Sequence, residues 1–259
     1  MRCLSTAILF LFLWHGVSTQ ETSGLDAVSG EAAVHRQDVS GSVVMLGASI
    51  TAGSGSTPGA NRSWPSVLAR RLADAGLHIT VINKGISGNR LLVDGAGPSA
   101  LSRFGRDVLS LPDAHWVIFS DAPINDLGST RPAPTAGELI AGIKRLISQA
   151  HEKRIHFFCS TLTPYEGANY WTASGEEARE QVNAFLRSSK SGCDAVIDQD
   201  AATHDPAHPT WYLPAFDSGD HLHPNDAGHR AIANAIDLSL FSYSDRGQSE
   251  KNHNKGIPR

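Results

Sequence analysis

A serine follows the first apolar run of the chain. The run 43–46 ends at Gly47, Ser49 comes two residues later, and Gly53 turns the chain before the next helical segment. At the carboxyl end of a buried parallel strand, a hydroxyl lies where open α/β sheets bind their ligands. Strand-Gly-x-Ser patterns also arise by chance, so a nucleophilic Ser49 requires a base, an acid that orients the base, and oxyanion donors elsewhere in the chain.

An acid and a histidine stand close together near the end of the chain. Asp220 and His223 are three residues apart and directly precede a helical segment. A tight turn can direct both side chains to one place, where the histidine takes the serine proton and the carboxylate fixes the imidazole tautomer. The alternative for Asp-x-x-His-Pro is a helix-entry turn in which Asn225 caps the helix.

Two further segments carry groups that can donate hydrogen bonds to a developing oxyanion. Gly88 lies in the loop 83–90, whose backbone N–H groups can approach a ligand closely because glycine has no side chain. Asn125 follows the third apolar run, and its carboxamide is a second type of donor. Because these residues follow different apolar runs, we expect them to meet Ser49 at one edge of a sheet. The chemistry predicted for such a set is acyl transfer through serine.

Five apolar, strand-like runs alternate with helical segments along the chain. The runs cover residues 43–46, 78–82, 115–119, 155–159 and 195–197. Helices are predicted at 64–75, 135–151, 174–188 and 224–241, the third with a capping-box start at Ser174. This alternation predicts βαβ units. Right-handed crossovers then favour a three-layer α/β/α sandwich with a five-stranded parallel sheet in the flavodoxin-like order 2-1-3-4-5.

The order of these segments resembles that of the SGNH, or GDSL-like, serine hydrolase family over residues 43–241. Four separated blocks carry the resemblance, at residues 47–51, 87–90, 124–126 and 220–224. The resemblance implies Ser49 as nucleophile, His223 as base and then acid, and Asp220 as its orienting acid. It also implies an oxyanion hole formed by the backbone N–H groups of Ser49 and Gly88 and by the side chain of Asn125.

The segments 55–58, 162–165 and 220–228 are similar to a bacterial secreted branch of arylesterases and acylhydrolases. Some members of that branch lie near xylan-degrading enzymes, so the resemblance implies acylated plant polysaccharide as a substrate. The expected function is a secreted serine esterase that cleaves carboxylic esters through an acyl-serine intermediate, with no cofactor. The alternative is a catalytically weakened or inactive relative that binds glycans.

Three positions depart from the family's pattern. Ala48 stands where the family usually has Asp, and Ala122 and Pro123 stand where it commonly has Glu and Gly. Ala48 lacks a carboxylate that helps to hold the nucleophile turn, while Pro123 fixes φ and deletes an N–H group. Both changes can displace oxyanion donors, and a displacement of about 1 Å can lower a rate on the order of a hundredfold. Asp121 is a candidate replacement for the lost acid.

Weaker candidates for substrate contact follow the second and fourth runs. Tyr165, Tyr170 and Trp171 can stack on a sugar or aryl group, or pack within their loop. Arg90 can contact the substrate, or tie loops together through an acid such as Asp94.

A metal site is the alternative role for the two histidines of the last block. His221 and His223 with Asp226 offer three ligand types, but Pro224 and the helix start separate them. We therefore expect no metal.

The composition and the termini bound the remaining possibilities. The chain has 259 residues, 41% of them hydrophobic, and a formal net charge of −4, so it lacks the basic excess of nucleic-acid-binding proteins. The expected partner is a small-molecule or polysaccharide ester.

Residues 1–19 have the pattern of a signal peptide and are too short for a stable membrane anchor, so a secreted or periplasmic location is expected. A flexible linker (20–40), the hydrolase domain (41–243) and a disordered tail (244–259) follow.

Two cysteines, Cys159 and Cys193, remain after removal of the leader. Cys159 is expected at the carboxyl end of the fourth strand and Cys193 before the start of the neighbouring fifth. The two would then lie roughly one strand length apart, beyond the ~7 Å limit on the Cα separation of a disulfide. They are predicted to be free thiols.

Overall fold

The computed structural model describes residues 40–241. The predicted signal peptide (1–19) and tail (244–259) lie outside the described residues. So does the predicted linker (20–40), apart from Ser40, which begins the first strand. Within the described part of the chain, none of the helices is both long enough and apolar enough to span a bilayer.

A five-stranded sheet forms the centre of the domain. Its strands are β1 (Ser40–Gly47), β2 (His78–Gly85), β3 (Ala114–Phe119), β4 (His156–Ser160) and β5 (Ala195–Ile197). They are ordered β2-β1-β3-β4-β5, and each neighbouring pair is parallel. The predicted strand order is therefore confirmed. Gly47 pairs with Gly85 and Leu46 with Phe119, so the loops after β1, β2 and β3 leave the sheet at the same edge.

Helices connect and cover the strands. They are α1 (Ser49–Ala52), α2 (Trp64–Asp74), α3 (Ala100–Phe104), α4 (Ala122–Ser129), α5 (Ala136–Glu152), α6 (Ala173–Arg187), α7 (Gln199–Thr203) and α8 (Asp226–Asn234). A π-helical turn, Gly105–Leu109, continues α3, and a 3₁₀ turn, Leu238–Phe241, follows α8. An antiparallel hairpin of β6 (His204–Asp205) and β7 (His208–Tyr212) stands between α7 and α8.

Side chains of the central strand alternate between two apolar layers. Val44 and Leu46 of β1 are buried in a cluster with residues of α5 and α6. Val43 and Met45 are buried in a second cluster with residues of α2 and α8. Successive residues of a strand point to opposite faces, so the two clusters lie on opposite faces of the sheet. This gives the predicted three-layer α/β/α sandwich, with both faces of the parallel sheet covered by helices.

Two predicted helix ends were wrong. The capping box expected at Ser174 is absent: the helix begins at Ala173, and its N-cap is Thr172, whose hydroxyl accepts the N–H of Gly175. Glu176 is instead buried against Arg179. The last helix ends at Asn234 rather than near 241, and the chain then forms the 3₁₀ turn. The predicted Asn225 cap is confirmed, since its side chain accepts the N–H groups of residues 227 and 228.

The prediction of free thiols was also wrong, because Cys159 and Cys193 form a disulfide with a Cα–Cα distance of 5.8 Å. The error came from the assumed length of the fifth strand. β5 has only three residues, and its first residue, Ala195, pairs with Phe158. Cys159 pairs with Val196, which is only three residues after Cys193, so the segment that enters β5 brings Cys193 next to Cys159 and not a strand length away.

Candidate active site

Ser49 is the first residue of α1 and is 8% exposed. The strand reaches it through Gly47, where an added Cβ would collide with the side chains of Thr51 and Asp121. Gly85, the partner of Gly47 on β2, meets the backbone of Thr51 and Ala52 in the same way. The two glycines therefore let α1 pack directly against the edge of the sheet, and this close packing presents the serine at the strand ends.

Asp121 holds this nucleophile turn from the neighbouring strand. Its carboxylate accepts the N–H groups of Ala48 at 3.0 Å and Ile50 at 2.8 Å, and the hydroxyl of Thr51 at 2.6 Å. Asp121 follows β3, which pairs directly with β1. Ala48 itself is fully buried in the apolar cluster. A carboxylate therefore holds the turn although position 48 has none.

The side chains of Ser49, His223 and Asp220 form a continuous hydrogen-bonded chain. The Nε2 atom of His223 lies 2.8 Å from the Oγ atom of Ser49, and its Nδ1 atom lies 2.6 Å from Oδ2 of Asp220. The carboxylate fixes Nδ1 as the protonated nitrogen of the neutral ring, which leaves Nε2 to accept the serine proton. This is the arrangement of contacts that a serine nucleophile, its base and an orienting acid require.

The carboxylate of Asp220 is kept ionised by its hydrogen bonds. Burial by itself would raise the pKa of Asp220, but the bonds from the ring and backbone of His223 and from the N–H of Leu222 lower it to about 2. The hydroxyl of Ser218 adds a further bond at 3.1 Å. Asp220 is therefore available as an acceptor for the His223 ring throughout the neutral range.

The loop that carries Asp220 and His223 is closed on itself. The N–H of Ser218 donates to the carbonyl of His223, and the side chain of Asn225 donates to the carbonyls of Ala215 and Asp217 while capping α8. The helix-entry turn and the catalytic arrangement are thus properties of one segment, not competing alternatives.

The segment after α1 packs against the backbone and Cβ atom of the His223 loop. An added Cβ at Gly55 would press on the Cβ of His223 and the carbonyl of Pro224, so the two loops are in close contact. Buried His229 of α8 fastens this segment, accepting the N–H of Trp64 and approaching the carbonyl of Ser54 at 2.9 Å. Burial lowers the pKa of His229, which keeps its ring neutral and its accepting nitrogen free.

The three predicted oxyanion donors follow the carboxyl ends of β1, β2 and β3 and therefore lie at the same sheet edge. Ile86 and Asn89 close a turn in which Gly88 has φ +74°, a value that favours glycine. Among residues 40–241, the N–H groups of Ser49 and Gly88 have no protein acceptor, whereas both neighbours of Ser49 donate to Asp121. Two backbone donors are thus left for a ligand.

The carboxamide of Asn125 is fixed at both ends. Its Oδ1 atom accepts the hydroxyl of Tyr170 at 3.0 Å, and its Nδ2 atom donates to the carbonyl of Asn89 at 2.9 Å. An amide nitrogen has two hydrogens, so one remains for a further acceptor. Tyr170 therefore serves the site by orienting Asn125.

Pro123 does not disturb the start of this helix. It lies in the first turn of α4, where a backbone N–H has no intrahelical partner to lose.

Two buried charged residues, which the sequence reasoning missed, connect the loops. Arg103 donates to the carbonyl of Gly47 at 2.9 Å and to the side chain of Asn89 at 3.1 Å, while pairing with Asp107. Asp126 accepts the N–H groups of Leu91 and Leu92 and is fully buried. Arg103 and Asp107 have i, i+4 spacing, the one signal in the sequence that could have suggested a buried pair.

The three weaker candidates for substrate contact all pack against other parts of the protein. Tyr165 is 0% exposed, so its ring has no face for a substrate and belongs to the core. Trp171 is half-buried and packs against the apolar cluster of α5 and α6. Arg90 does not pair with Asp94, whose carboxylate instead accepts the N–H of Ser99 at 2.7 Å. The guanidinium of Arg90 lies against the backbone of the same loop, at Gly95.

The two histidines of the last block have separate carboxylate partners. His221 approaches Asp217 at 2.5 Å, and His223 approaches Asp220, while Asp226 binds Thr57 and Arg62. Within residues 40–241, no group of three or more His, Cys, Asp or Glu side chains is arranged to hold a metal ion.

The model of the GDSL-like Lipase/Acylhydrolase family matches residues 45–231, more than half of the chain. The chain belongs to this family. The matched range of this GDSL-like protein includes Ser49, Gly88, Asn125, Asp220 and His223, and the resemblance inferred from the four sequence blocks is confirmed. A search of curated protein sequences finds no match.

Solved structures of similar fold include enzymes of this family. A GDSL-like lipase from Bacteroides thetaiotaomicron is 19% identical, with a TM-score of 0.60 over 77% of this chain and 87% of that one. A variant of an acetyl-xylooligosaccharide esterase from Geobacillus Stearmophilus is 21% identical, with a TM-score of 0.58 over 80% and 98%. An alpha/beta hydrolase enzyme from the metagenome of Lake Arreo, Spain, is 22% identical, with a TM-score of 0.59 over 78% and 94%. At these identities the similarity establishes the fold.

Proposed function

We propose that this GDSL-like protein is a serine esterase that hydrolyses carboxylic esters through an acyl-serine intermediate. The observation that carries the proposal is the position of His223, whose Nε2 lies 2.8 Å from Ser49 Oγ while its Nδ1 lies 2.6 Å from Asp220. A neutral histidine oriented by an ionised carboxylate is the base that a serine hydroxyl needs to attack an ester carbonyl.

The reaction follows from these contacts. His223 takes the proton of Ser49 as Oγ bonds to the carbonyl carbon, and the resulting oxyanion accepts hydrogen bonds from the Ser49 and Gly88 N–H groups and the Asn125 amide. The tetrahedral intermediate expels the alcohol, which receives the proton from His223. Water then attacks the acyl-serine with His223 again as base, releasing the carboxylic acid and regenerating Ser49. Asp220 stays ionised and stabilises the imidazolium in both steps.

The proposed substrates are acyl groups on polysaccharides, plant polysaccharide among them. Support comes from the structural neighbours described as an acetyl-xylooligosaccharide esterase and an acetyl xylan esterase. The signal-peptide pattern of residues 1–19 supports export, and the proposed location is secreted or periplasmic.

The second candidate function, an inactive relative that binds glycans, rests on Ala48 and Pro123. Its physical basis is a displaced nucleophile turn or displaced oxyanion donors. Against it, Asp121 supplies three hydrogen bonds to the turn, and Asn125 keeps a partner at each end. These contacts favour the catalytic function.

The test is hydrolysis of p-nitrophenyl esters of increasing acyl length by the full chain and its Ser49→Ala variant. The proposal expects turnover that Ser49→Ala abolishes, and a Ser66→Ala variant, altered on α2 away from the triad, that keeps it. Labelling of Ser49 by an organophosphonate probe gives a second readout. Equal turnover by Ser49→Ala would refute the mechanism, while saccharide binding by a folded protein without turnover would favour the second candidate.

A further inference from the structure

The β6–β7 hairpin brings an exposed indole to the loop that carries His223. The ring of Trp211 lies 5.4 Å from the ring of His221 in an edge-to-face arrangement, and His221 is two residues before His223. Trp211 is 37% exposed, and only two other large hydrophobic residues within 40–241, Val93 and Val196, are comparably exposed. Since most large apolar side chains here are buried, an exposed indole beside a candidate catalytic histidine calls for a functional explanation.

His221 offers an unused hydrogen-bond acceptor next to this indole. Its Nδ1 atom lies 2.5 Å from Oδ2 of Asp217, and its backbone N–H donates to the other carboxylate oxygen at 3.1 Å. The carboxylate assigns the proton of the neutral ring to Nδ1, so Nε2 is an acceptor. Nε2 has no protein partner within the described residues, and the side chain is 41% exposed.

The backbone around His221 is held in a conformation that non-glycine residues rarely adopt. His221 has φ +60°, a left-handed value that usually requires a compensating environment. The carboxylate of Asp217 stabilises this conformation by accepting hydrogen bonds from the N–H groups of Gly219 and His221. Gly167, in the loop after β4, lies so close that an added Cβ would be 3.0 Å from both the His221 and the Trp211 rings. Contacts within its own loop, with the loop after β4 and with strand β7 therefore fix this imidazole in place.

The chemistry of the proposed esterase determines which part of the ester lies here. His223 Nε2 must deliver its proton to the departing oxygen, so the alcohol moiety leaves on the side of the histidine. The His223 loop continues into His221, Trp211 stands beside it, and Trp211 also lines a cleft of about 400 Å³ with Asp205, His208, Tyr212 and Pro214. The loop that carries His223 thus also borders an aromatic surface interspersed with polar groups.

We propose that Trp211 and His221 form the subsite for the alcohol moiety and that this moiety is a pyranose ring. The inference rests on the esterase function proposed above. The indole packs against the C–H face of the sugar, and His221 Nε2 accepts a hydrogen bond from a ring hydroxyl. A long alkyl alcohol has no hydroxyl for the acceptor, and a simple aryl alcohol uses only the indole. Sites of this kind combine aromatic contact area with a few positioned polar groups.

The test compares acetate esters of three alcohols, so that the acyl group stays constant. The substrates are an acetylated methyl xyloside, ethyl acetate and p-nitrophenyl acetate, each assayed with the full chain. Trp211→Ala is expected to lower kcat/KM for the xyloside by about tenfold while changing that for ethyl acetate less than about twofold. Val196→Ala, which truncates an apolar side chain of the same 37% exposure on β5, is expected to leave all three unchanged.

His221→Asn is the second variant. Asparagine tolerates a positive φ, so this change removes the imidazole without forcing the turn to refold. The proposal expects the same selective loss on the xyloside. An equal loss on all three esters from both variants would indicate a structural role and overturn the subsite. A loss confined to p-nitrophenyl acetate would assign the surface to aryl groups and overturn the sugar.

Failure of the esterase itself gives a different result. If no ester is turned over in a Ser49-dependent way, the proposed function falls, and the subsite is decided by calorimetric binding of xylotriose to the full chain. Weaker binding by Trp211→Ala than by Val196→Ala supports the sugar surface. Equal binding, or none, overturns it.

Discussion

The carboxylate of Asp121 accepts the N–H of Ile50 at 2.8 Å, across 71 positions of sequence. The bond joins the loop after β3 to the residue that follows the candidate nucleophile. With the bonds from Ala48 and Thr51, it makes Asp121 the acceptor of three donors from one short turn. The nucleophile turn, which has no acid at position 48, is thus held by a carboxylate from the loop after the neighbouring strand.

Replacement of this carboxylate should affect both rate and stability. Asp121→Asn leaves one acceptor oxygen for three donors and turns an NH₂ group toward backbone N–H groups. We expect a fall in the free energy of unfolding of about 1–3 kcal/mol, since a buried donor is left without a partner. We also expect a fall in kcat of about 10- to 100-fold as Ser49 shifts. Thermal unfolding and p-nitrophenyl acetate kinetics measure the two effects.

The matched control is Asp113→Asn, which alters an exposed acid at the opposite end of β3. Its kcat and Tm should remain those of the unaltered protein. A fully active and equally stable Asp121→Asn variant would show that the nucleophile turn keeps its conformation without the Asp121 carboxylate.

Restoring the family's usual residue at position 48 should impair this chain. Ala48 is 0% exposed and packs in the apolar cluster, and its N–H already binds Asp121. The Ala48→Asp change therefore buries a second carboxylate close to the first, which is unfavourable for both charges. We expect a lower Tm and a lower kcat on p-nitrophenyl acetate, with partial recovery of the Tm when Asp121→Ala is added. A gain in kcat from Ala48→Asp alone would contradict this interpretation.

The sheet and the candidate triad were accessible from the sequence because each depends on local signals. Apolar runs alternating with helical periodicity determine the strand order through general rules of chain connection. Ser49, Asp220 and His223 each stand at the end of such a run or at a helix start, where the residue type is informative. The contact between Ser49 and His223 then follows from the topology.

Other parts of the site depend on tertiary packing that no local pattern encodes. The bonds from Tyr170 to Asn125 and from Arg103 to Gly47 join residues 45 and 56 positions apart, and no local pattern around Tyr170 or Arg103 indicates these partners. The disulfide was mispredicted for a related reason. The length of β5, three residues, decides where Cys193 lies, and strand ends are poorly marked in an apolar run.

Neutralising Asp220, the proposed orienting acid, should remove activity without unfolding the protein. Asp220→Asn keeps the shape of the side chain but can fix His223 in the wrong tautomer, so we expect kcat to fall on the order of a thousandfold or more. The side chain is 53% exposed, so the Tm should change little. Steady-state kinetics and thermal unfolding test this, with Asp74→Asn on the exposed end of α2 as control. Retention of more than about a tenth of the activity would assign the orienting role elsewhere.

The low pKa of Asp220 also constrains the pH profile. Because the folded pKa is about 2, below the ordinary value, its ionised form and the stability linked to it persist above about pH 4 and are lost only as the pH falls toward 2. Any activity lost between pH 7 and pH 5 must therefore come from another group. A kcat profile recorded over that range together with circular dichroism separates titration from unfolding.

Reduction of the disulfide should destabilise the protein and spare the site. The bond between Cys159 and Cys193 closes a segment of 34 residues that contains α6, for which loop entropy gives roughly 3–4 kcal/mol. We expect reductant to lower the Tm by about 10 °C while kcat at 25 °C stays within about twofold. A Cys159→Ala/Cys193→Ala double variant should have the lower Tm with or without reductant. If the Tm of the unaltered protein is the same with and without reductant, the disulfide is absent or inaccessible to the reductant.

Asp126 should give the protein a stability that falls as the pH rises through the weakly acidic range. Burial raises its pKa to about 6, although the N–H groups of Leu91 and Leu92 favour the charged form. The folded carboxyl therefore holds its proton to a higher pH than the unfolded chain, whose pKa is about 3.9. Its stabilising contribution is complete below about pH 4 and is lost as the pH rises through 6, an amount of roughly 3 kcal/mol.

The Asp126→Asn variant isolates this effect because asparagine does not titrate. Its single carbonyl oxygen leaves Leu91 or Leu92 without an acceptor, so the variant should be less stable than the unaltered protein at pH 4, where the protonated Asp126 is most favourable. The difference in the free energy of unfolding between the two proteins should shrink toward pH 7, where the unaltered protein must bury a charged carboxylate. Urea unfolding of both proteins at pH 4, 5, 6 and 7 gives the difference directly. A deficit that stays constant or grows with pH would mean that the carboxylate is ionised in the folded protein throughout, stabilised by the two N–H groups and the nearby Arg90.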